Sequence, residues 1–579
     1  MGMGILEDKV MDHVPGTTRY FDDPERPQYA ADGIQGLKCD NSGPLPIILV
    51  PQPSDDPNDP LNWPLWRRDL ITFILSLTAI FGTALGPILA ANTVTLTFWF
   101  GVRFDRVAEL TGWFLLGVGV AGFIFVPSGR IWGKRHLFVG GTILLAVTSA
   151  WGGASGTNYT SFLVARIFQG IACAPFEALV NAAVGDLYFV HERGKRMAFS
   201  NLAVFGGAFF TPILVGKITH TIKWWWTFYL VAIFCAVCLP AVFFLCPETA
   251  YRRESSLNLD LLATENPAAT KQADHAADDA EKAGSNSIHT RPSTNPEGSD
   301  SNGVTTEATA TSGTPRTEPV KTKVSYRQSL RLFNGRKTDE KFWKLLLRPL
   351  PLFIQPAFLW ACLIQGLLIG WTVFIGVIMA QFFLSTPLWW DEVKTGYAYT
   401  AAFIGALIGF IIAGLLADWS AKYMTRRNNG IYEPEFRILL VIPQMVLGCA
   451  GLYGWGITVD GLLHSQYSYP VPLTFFALVV AGMVIGAVAS SLYIVDAYRD
   501  LAVEGFTCMI IFKNMFSFAL TFKAFEWLVE NKTRATPLFN ALGSVQLVVC
   551  LLSIPLYIYG KRLRSFFYRH DLLATFGVR

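Results

Sequence analysis

The sequence predicts an all-α membrane protein, with twelve transmembrane helices forming two six-helix pseudo-symmetric bundles. Three observations carry this prediction. Apolar stretches long enough to cross a bilayer recur about twelve times. One long polar insert divides them six and six. Of the 579 residues, 52% are hydrophobic and only 16% charged, and the mean hydropathy is +0.37, a balance that suits lipid as the solvent. Backbone groups in hydrocarbon need internal partners, which leaves helices or a closed barrel, and these runs are too long and too continuously apolar for barrel strands.

Residues 1–68 are polar and turn-rich and read as a largely disordered cytoplasmic tail; no signal-peptide pattern is evident there. The first span, from Leu70 to Ala91, contains no charge. Further apolar runs predict helices near 109–129, 137–153, 161–184, 197–219 and 225–246, which complete a bundle over 69–246. Residues 247–356 form a linker. Its core, 262–320, has almost no large apolar side chain to offset ordering entropy and reads as disordered. Its distal part, Tyr326 to Leu347, mixes Leu, Phe and Trp with Arg and Lys, the pattern of a segment lying on an anionic leaflet or of an ordinary juxtamembrane flank. Helices near 357–383, 396–417, 436–456, 470–494, 504–526 and 537–560 then build the second bundle, 357–560, followed by a cytoplasmic tail, 561–579.

Basic residues set the orientation. Arg67 and Arg68 precede the first span, and Arg130, Lys134, Arg135, Arg426 and Arg427 fall in loops on the same side, as do Lys561, Arg562 and Arg564 after the last span. The positive-inside rule therefore places both termini in the cytoplasm. The net charge of +4 is spread along loops and offers no nucleic-acid face. Cys235 and Cys238 form a C-x-x-C inside an apolar run, where packing is the expected role, and no metal-ligand spacing occurs elsewhere. Neither H-E-x-x-H, G-x-S-x-G nor a G-x-x-x-x-G-K-[ST] loop is present, which argues against an enzyme or a primary pump.

The halves echo each other. Ser128-Gly-Arg-Ile-Trp-Gly-Lys-Arg135 follows the second span, and Gly414-Leu-Leu-Ala-Asp418 with Arg426 and Arg427 follows the eighth, as in duplicated transporter folds. Together with ARIFQG at 165–170, GDLYFVHERGKR at 185–196 and CPET at 246–249, the chain resembles the major facilitator superfamily. DPLNWPLWRR, ADWSAKYMTRRNNGIYEPEFR and YIVDAYRDLAVEG are similar to segments of its fungal twelve-helix drug:proton antiporter-like branch. The resemblance covers roughly residues 58–565. It implies a secondary transporter in the plasma membrane of a fungus that exports a drug-like compound or secondary metabolite in exchange for protons. The alternative is uptake of a small organic cation, polyamine or nutrient. The expected partners are a small-molecule substrate, protons and the lipid bilayer, with no nucleic acid, no cofactor and no metal, and the expected state is a monomer.

Candidate site residues follow. Gly133 with Lys134 and Arg135, and Asp418 with Arg426 and Arg427, can cap helix ends and latch the halves together at the cytoplasmic side. Family members often carry an acid three residues before the glycine; Arg130 stands there in this chain, implying a weaker first-half latch. Gly207 and Pro212 in the fifth span, and Gly86 and Pro87 in the first, permit close approach and bending. Thr211 replaces the second glycine of the antiporter pattern. Charges inside spans are costly and point to a pathway. Glu177 can exchange a proton, or it can pair with a buried base such as Lys513. Arg166 and Gln169 lie on the same span, Arg166 about 16 Å away along the axis, and the resemblance implies that they organise the central site. Lys513, Asn514 and Asp496 could bind a polar or anionic substrate. Trp360, Trp371, Phe374, Tyr493 and Phe516 are candidates for lining a cavity, and Trp224 to Trp226 read as an interface anchor. Asn158 and Asn531 head possible glycosylation sequons.

Overall fold

The computed structural model describes residues 3–8, 10–11, 14–19, 38–40, 47–49, 53–252, 323–384, 388–428, 431–498, 501–531 and 534–578. The expected disordered linker core falls outside them, as do Lys532 and Thr533 of the second sequon. The first bundle comprises α1 (Leu65–Ala84), α2 (Thr93–Phe100), α3 (Phe104–Trp132), α4 (Arg135–Ala154), α5 (Tyr159–Leu187), α6 (Val190–Thr221) and α7 (Trp225–Leu245). After the short linker helix α8 (Phe342–Leu347), the second comprises α9 (Pro356–Phe383), α10 (Glu392–Arg427), α11 (Val441–Leu463), α12 (Pro470–Ala497), α13 (Ala502–Glu530), α14 (Ala535–Leu551) and α15 (Ser553–Arg569). Among the described residues, eleven segments are long and apolar enough to cross a membrane. The remaining crossing is α1, whose first turns carry Arg67, Arg68 and Asp69 and which packs on α5, α6 and α7.

Each bundle has its own apolar core, one around Phe114, Phe162 and Phe176, the other around Phe358, Phe374 and Trp455. The bundles meet along two seams, α3 against α13 and α6 against α10. At α3–α13 the glycines Gly112 and Gly119 admit side chains of α13, whereas at α6–α10 backbone meets backbone. A Cβ at Gly396 would lie 2.6 Å from the Pro212 carbonyl oxygen and 3.4 Å from the Cα of Gly216, so α6 and α10 touch because neither has a side chain there.

Several expectations are corrected. The first span is not one helix: α1 ends at Ala84, Pro87–Leu89 forms a 3-10 turn, and α2 resumes at Thr93. Pro87 has no N–H to continue the ladder, and Gly86 tolerates the break. By contrast α6 runs unbroken through Gly207 and Pro212, where the Thr211 hydroxyl donates to the Gly207 carbonyl at 2.7 Å. The last crossing divides at Leu552, and its second part continues to Arg569, well past the expected end. Trp224 is buried among Trp99, Phe100, Phe162 and Phe228; Trp226 is the exposed member of its run.

The described parts of the N-terminal tail are packed where composition predicts no fixed structure. Thr18–Arg19 pairs antiparallel with Ile431–Tyr432. The backbone N–H of Leu6 donates to Ile558, and Lys561 pairs with Glu7 at 2.6 Å. The described segments near both chain ends thus meet at one end of the molecule, the tail end.

Candidate functional site: a cavity between the bundles

A cavity of about 190 Å³ lies between the bundles, lined from both. The break between α1 and α2 brings Thr83, Gly86 and Pro87 to its wall, α3 adds Phe114, α6 adds Phe205 and Phe209, and the second bundle adds Thr372, Tyr399 and Phe476. The wall is mainly apolar and aromatic. Its charged members are Glu177 of α5 and Lys513 of α13, with Asn514 beside them.

Glu177 and Lys513 form an ion pair across the bundle boundary, and the Asn514 amide approaches the other Glu177 oxygen at 3.5 Å. Both charged side chains are largely buried, at 14% and 9% exposure. Such a pair persists in a low-dielectric setting because each charge satisfies the other, and removing one partner strands the second. Asn514 also donates to the Ile510 carbonyl at 3.0 Å, which fixes its amide toward the acid.

Arg166 is fully buried behind this wall. Its guanidinium donates to Gln169 Oε1 at 2.9 Å, to the Gly86 carbonyl at 3.4 Å and to the Leu110 carbonyl at 3.5 Å, and it lies 4.7 Å from the ring centroid of Phe114. Gln169 in turn donates to the Thr148 carbonyl at 3.1 Å. Arg166 therefore ties the free carbonyl at the α1 break to α3 and α5, a role suited to the planar fork of arginine.

The other predicted residues lie elsewhere. Asp496 is at the tail end, paired with Arg437 at 3.0 Å and accepting from the Tyr432 hydroxyl at 2.5 Å. Trp360, Trp371, Phe374, Tyr493 and Phe516 do not line the cavity; they pack within the second bundle, as in the Trp360–Tyr493 and Trp371–Phe516 edge contacts. The lining aromatics on α3 and α6 escaped the sequence reading, because a Phe in a span has no signal separating cavity from lipid or neighbour. Asn158 caps α5 through its side-chain oxygen. Asn531 donates its amide to the Trp527 carbonyl at 2.8 Å, which engages the nitrogen a glycan would need.

The latch also differs from expectation. Gly133 has φ +92°, and a Cβ there would collide with Glu248, whose carboxylate accepts the backbone N–H groups of Lys134 and Arg135 at 2.9 and 3.1 Å. Lys134 pairs with Asp186 at 2.5 Å, and Arg135 donates to the Cys246 and Phe243 carbonyls. All of these bonds stay inside the first bundle. CPET and the basic turn form one knot that caps α4 and α7. Asp418, Arg426 and Arg427 are exposed, and Asp418 makes no ion pair among the described residues. The residue that crosses is Arg130, which pairs with Glu504 of α13. Arg348 also reaches Glu504, at 3.4 Å, and both arginines pair with Glu340 of the linker.

The Major Facilitator Superfamily model matches residues 70–502. Protein HOL1 of Saccharomyces cerevisiae is 26% identical over 96% of this chain and 95% of its own length. The citrinin biosynthesis cluster MFS transporter mrr1 of Monascus ruber is 22% identical over 88% of this chain and 90% of its own. Among solved structures, the xylose transporter XylE from E. coli in an inward-open conformation aligns with a TM-score of 0.52 at 11% identity, covering 84% of this chain and 95% of that one. That likeness concerns the fold.

Proposed function

The chain belongs to the Major Facilitator Superfamily and is a secondary transporter, and from that premise we propose that it exports a drug-like compound or secondary metabolite in exchange for protons. The observation that carries this reading is the Glu177–Lys513 pair, which joins the two bundles inside the cavity. Protonation of Glu177 neutralises the carboxylate and releases Lys513, so one proton loosens a contact between α5 and α13. Rocking of the bundles about the cavity then exposes it to alternate sides. A proton entering through ~100 mV supplies ~2.3 kcal/mol toward moving the substrate outward.

The aromatic wall with a few hydroxyls suits flat amphipathic molecules, and the Monascus relative named for a citrinin biosynthesis cluster supports a metabolite cargo. The tail end faces the cytoplasm in this reading, with both termini inside and the plasma membrane as the site of action. A second reading, uptake of a small organic cation, polyamine or nutrient, is favoured by one feature: the Glu177 carboxylate can accept a substrate ammonium in place of that of Lys513.

The test is pH-jump transport in proteoliposomes with a panel of lipophilic cations, polyamines and aromatic metabolites, comparing wild type with Glu177→Gln. Proton-driven movement lost in the variant supports the proposal, and the direction of movement relative to the gradient separates export from uptake. Transport indifferent to the gradient, or unchanged in the variant, removes Glu177 from coupling.

A further inference from the structure

The linker between Lys323 and Leu352 is strongly basic and packs on both bundles. It carries eight basic residues against two acidic ones. Both acids are engaged, Asp339 with Arg252 at 2.7 Å and Glu340 with Arg348 and Arg130, while Arg327, Arg331, Arg336 and Lys341 are exposed. The segment is seated on the first bundle, with the Lys337 N–H donating to the Ile131 carbonyl at 2.7 Å and Phe342 stacked on Trp132 at 6.0 Å. It is seated on the second through Arg348, which donates to the Val578 carbonyl at 2.9 Å and pairs with Glu504.

Its outer side has a helical pattern. Trp343, Leu347, Leu350 and Ile354 are spaced four, three and four residues apart and are 70%, 45%, 52% and 62% exposed, whereas Leu345, Leu346 and Leu352 are buried. α8 and a second short helix, Pro349–Leu352, are separated only at Arg348, so Trp343, Leu347 and Leu350 recur at helical spacing as exposed apolar side chains, with Ile354 in the turn that follows. This apolar stripe leads into α9, which begins at Pro356 and is long and apolar enough to cross a membrane. Lys341 and Lys344 flank it.

We propose that this segment docks on anionic lipid headgroups of the tail-end leaflet, with the Trp343–Ile354 stripe in the acyl boundary, and that lipid held there steadies the Arg130–Glu504–Arg348–Glu340 cluster joining the bundles. Charge complementarity selects the occupant: basic residues beside an apolar stripe match an anionic interface. The docking does not depend on the substrate or direction proposed above. Only its effect on rate rests on rocking of the bundles.

The experiment uses the full chain in nanodiscs of phosphatidylcholine, with and without phosphatidylserine, and follows amide hydrogen exchange over 341–354. Phosphatidylserine should slow exchange there about tenfold, and Lys341→Gln with Lys344→Gln should remove the slowing. Trp343→Ser, which keeps every charge, should weaken it. In proteoliposomes the transport rate of wild type should depend on phosphatidylserine, and that of the double lysine variant should not, with equal rates in phosphatidylcholine alone. Equal exchange in both lipids, or a phosphatidylserine effect that survives the lysine substitutions, overturns the inference. So does the same slowing by inorganic phosphate in phosphatidylcholine discs, which would assign the site to a soluble anion.

Discussion

Arg130 of α3 and Glu504 of α13 pair across the bundle boundary although 374 residues separate them. Glu504 is 5% exposed at its side chain, and a second cation, Arg348, lies within 3.4 Å. Replacing Arg130 by Ala therefore leaves Glu504 partnered, and the expected cost is ~1–2 kcal/mol, not that of a stranded charge. The effect to measure is conformational. Arg130→Ala should raise alkylation of a cysteine placed at the tail end of the α3–α13 seam, and Arg130→Lys, which keeps the cation, should retain most of the protection. Unchanged labelling in Arg130→Ala would show that the pair does not hold the tail end closed.

The cavity pair predicts a different balance. Lys513→Ala leaves the largely buried Glu177 with only the Asn514 amide, and should destabilise the protein by about 3–5 kcal/mol. Adding Glu177→Gln should recover most of that loss, because no charge is then stranded. Thermal unfolding in detergent of the single and double variants reads this as a coupling energy. Additive losses would contradict the pairing of Lys513 with Glu177.

What the sequence could and could not disclose follows from the physics of each contact. The spans are legible because lipid forces long apolar runs; at Gly86–Pro87 the sequence discloses a bend, but not the full interruption between α1 and α2. Glu177 and Lys513 stood out as charges inside spans, with pairing between them one of two open readings. Arg130 reads in the sequence as the mark of a weak latch, since its partners Glu504 and Glu340 are distant in sequence and share no local pattern with it. The knot around Gly133 was hidden for the same reason: Glu248 looks like an ordinary loop acid until α4 and α7 are packed together. Asp496 reads as a substrate-binding acid because nothing local in the sequence ties it to Arg437 and Tyr432, which hold it at the tail end.

The α6–α10 seam makes a steric prediction. A side chain at Gly396 would press on the Pro212 carbonyl and on Gly216, so Gly396→Val must push the helices apart. Overpacking of this kind costs about 1–3 kcal/mol, which leaves the fold standing but blocks close approach at this seam. Transport by Gly396→Val should fall at least about tenfold, while Gly414→Ala, where a Cβ meets nothing within 4 Å, should transport normally. Equal activity in the two variants would show that approach at this seam is dispensable.

The N-terminal contacts separate an exposed ion pair from a buried one on the same lysine. Lys561 binds Glu7 at 2.6 Å and Glu433 at 2.8 Å, but the Glu7 side chain is 61% exposed and that of Glu433 only 3%. Solvent screens the first pair, so Glu7→Ala should cost no more than ~1 kcal/mol. Glu433 also holds Arg564 at 2.9 Å and accepts from the Thr17 hydroxyl at 2.7 Å. Glu433→Ala thus removes one acceptor from two largely buried cations and releases the Thr17 anchor, but Arg564 keeps Glu435 at 2.8 Å and Lys561 keeps Glu7, so the expected cost is about 1–3 kcal/mol. Because Thr18 and Arg19 pair with Tyr432 and Ile431 directly beside Glu433, hydrogen exchange over residues 14–19 should accelerate in Glu433→Ala and stay near wild type in Glu7→Ala. Similar losses in both variants would mean that the N-terminal segment is held by its acidic residues as a group and not by the buried cluster around Arg564.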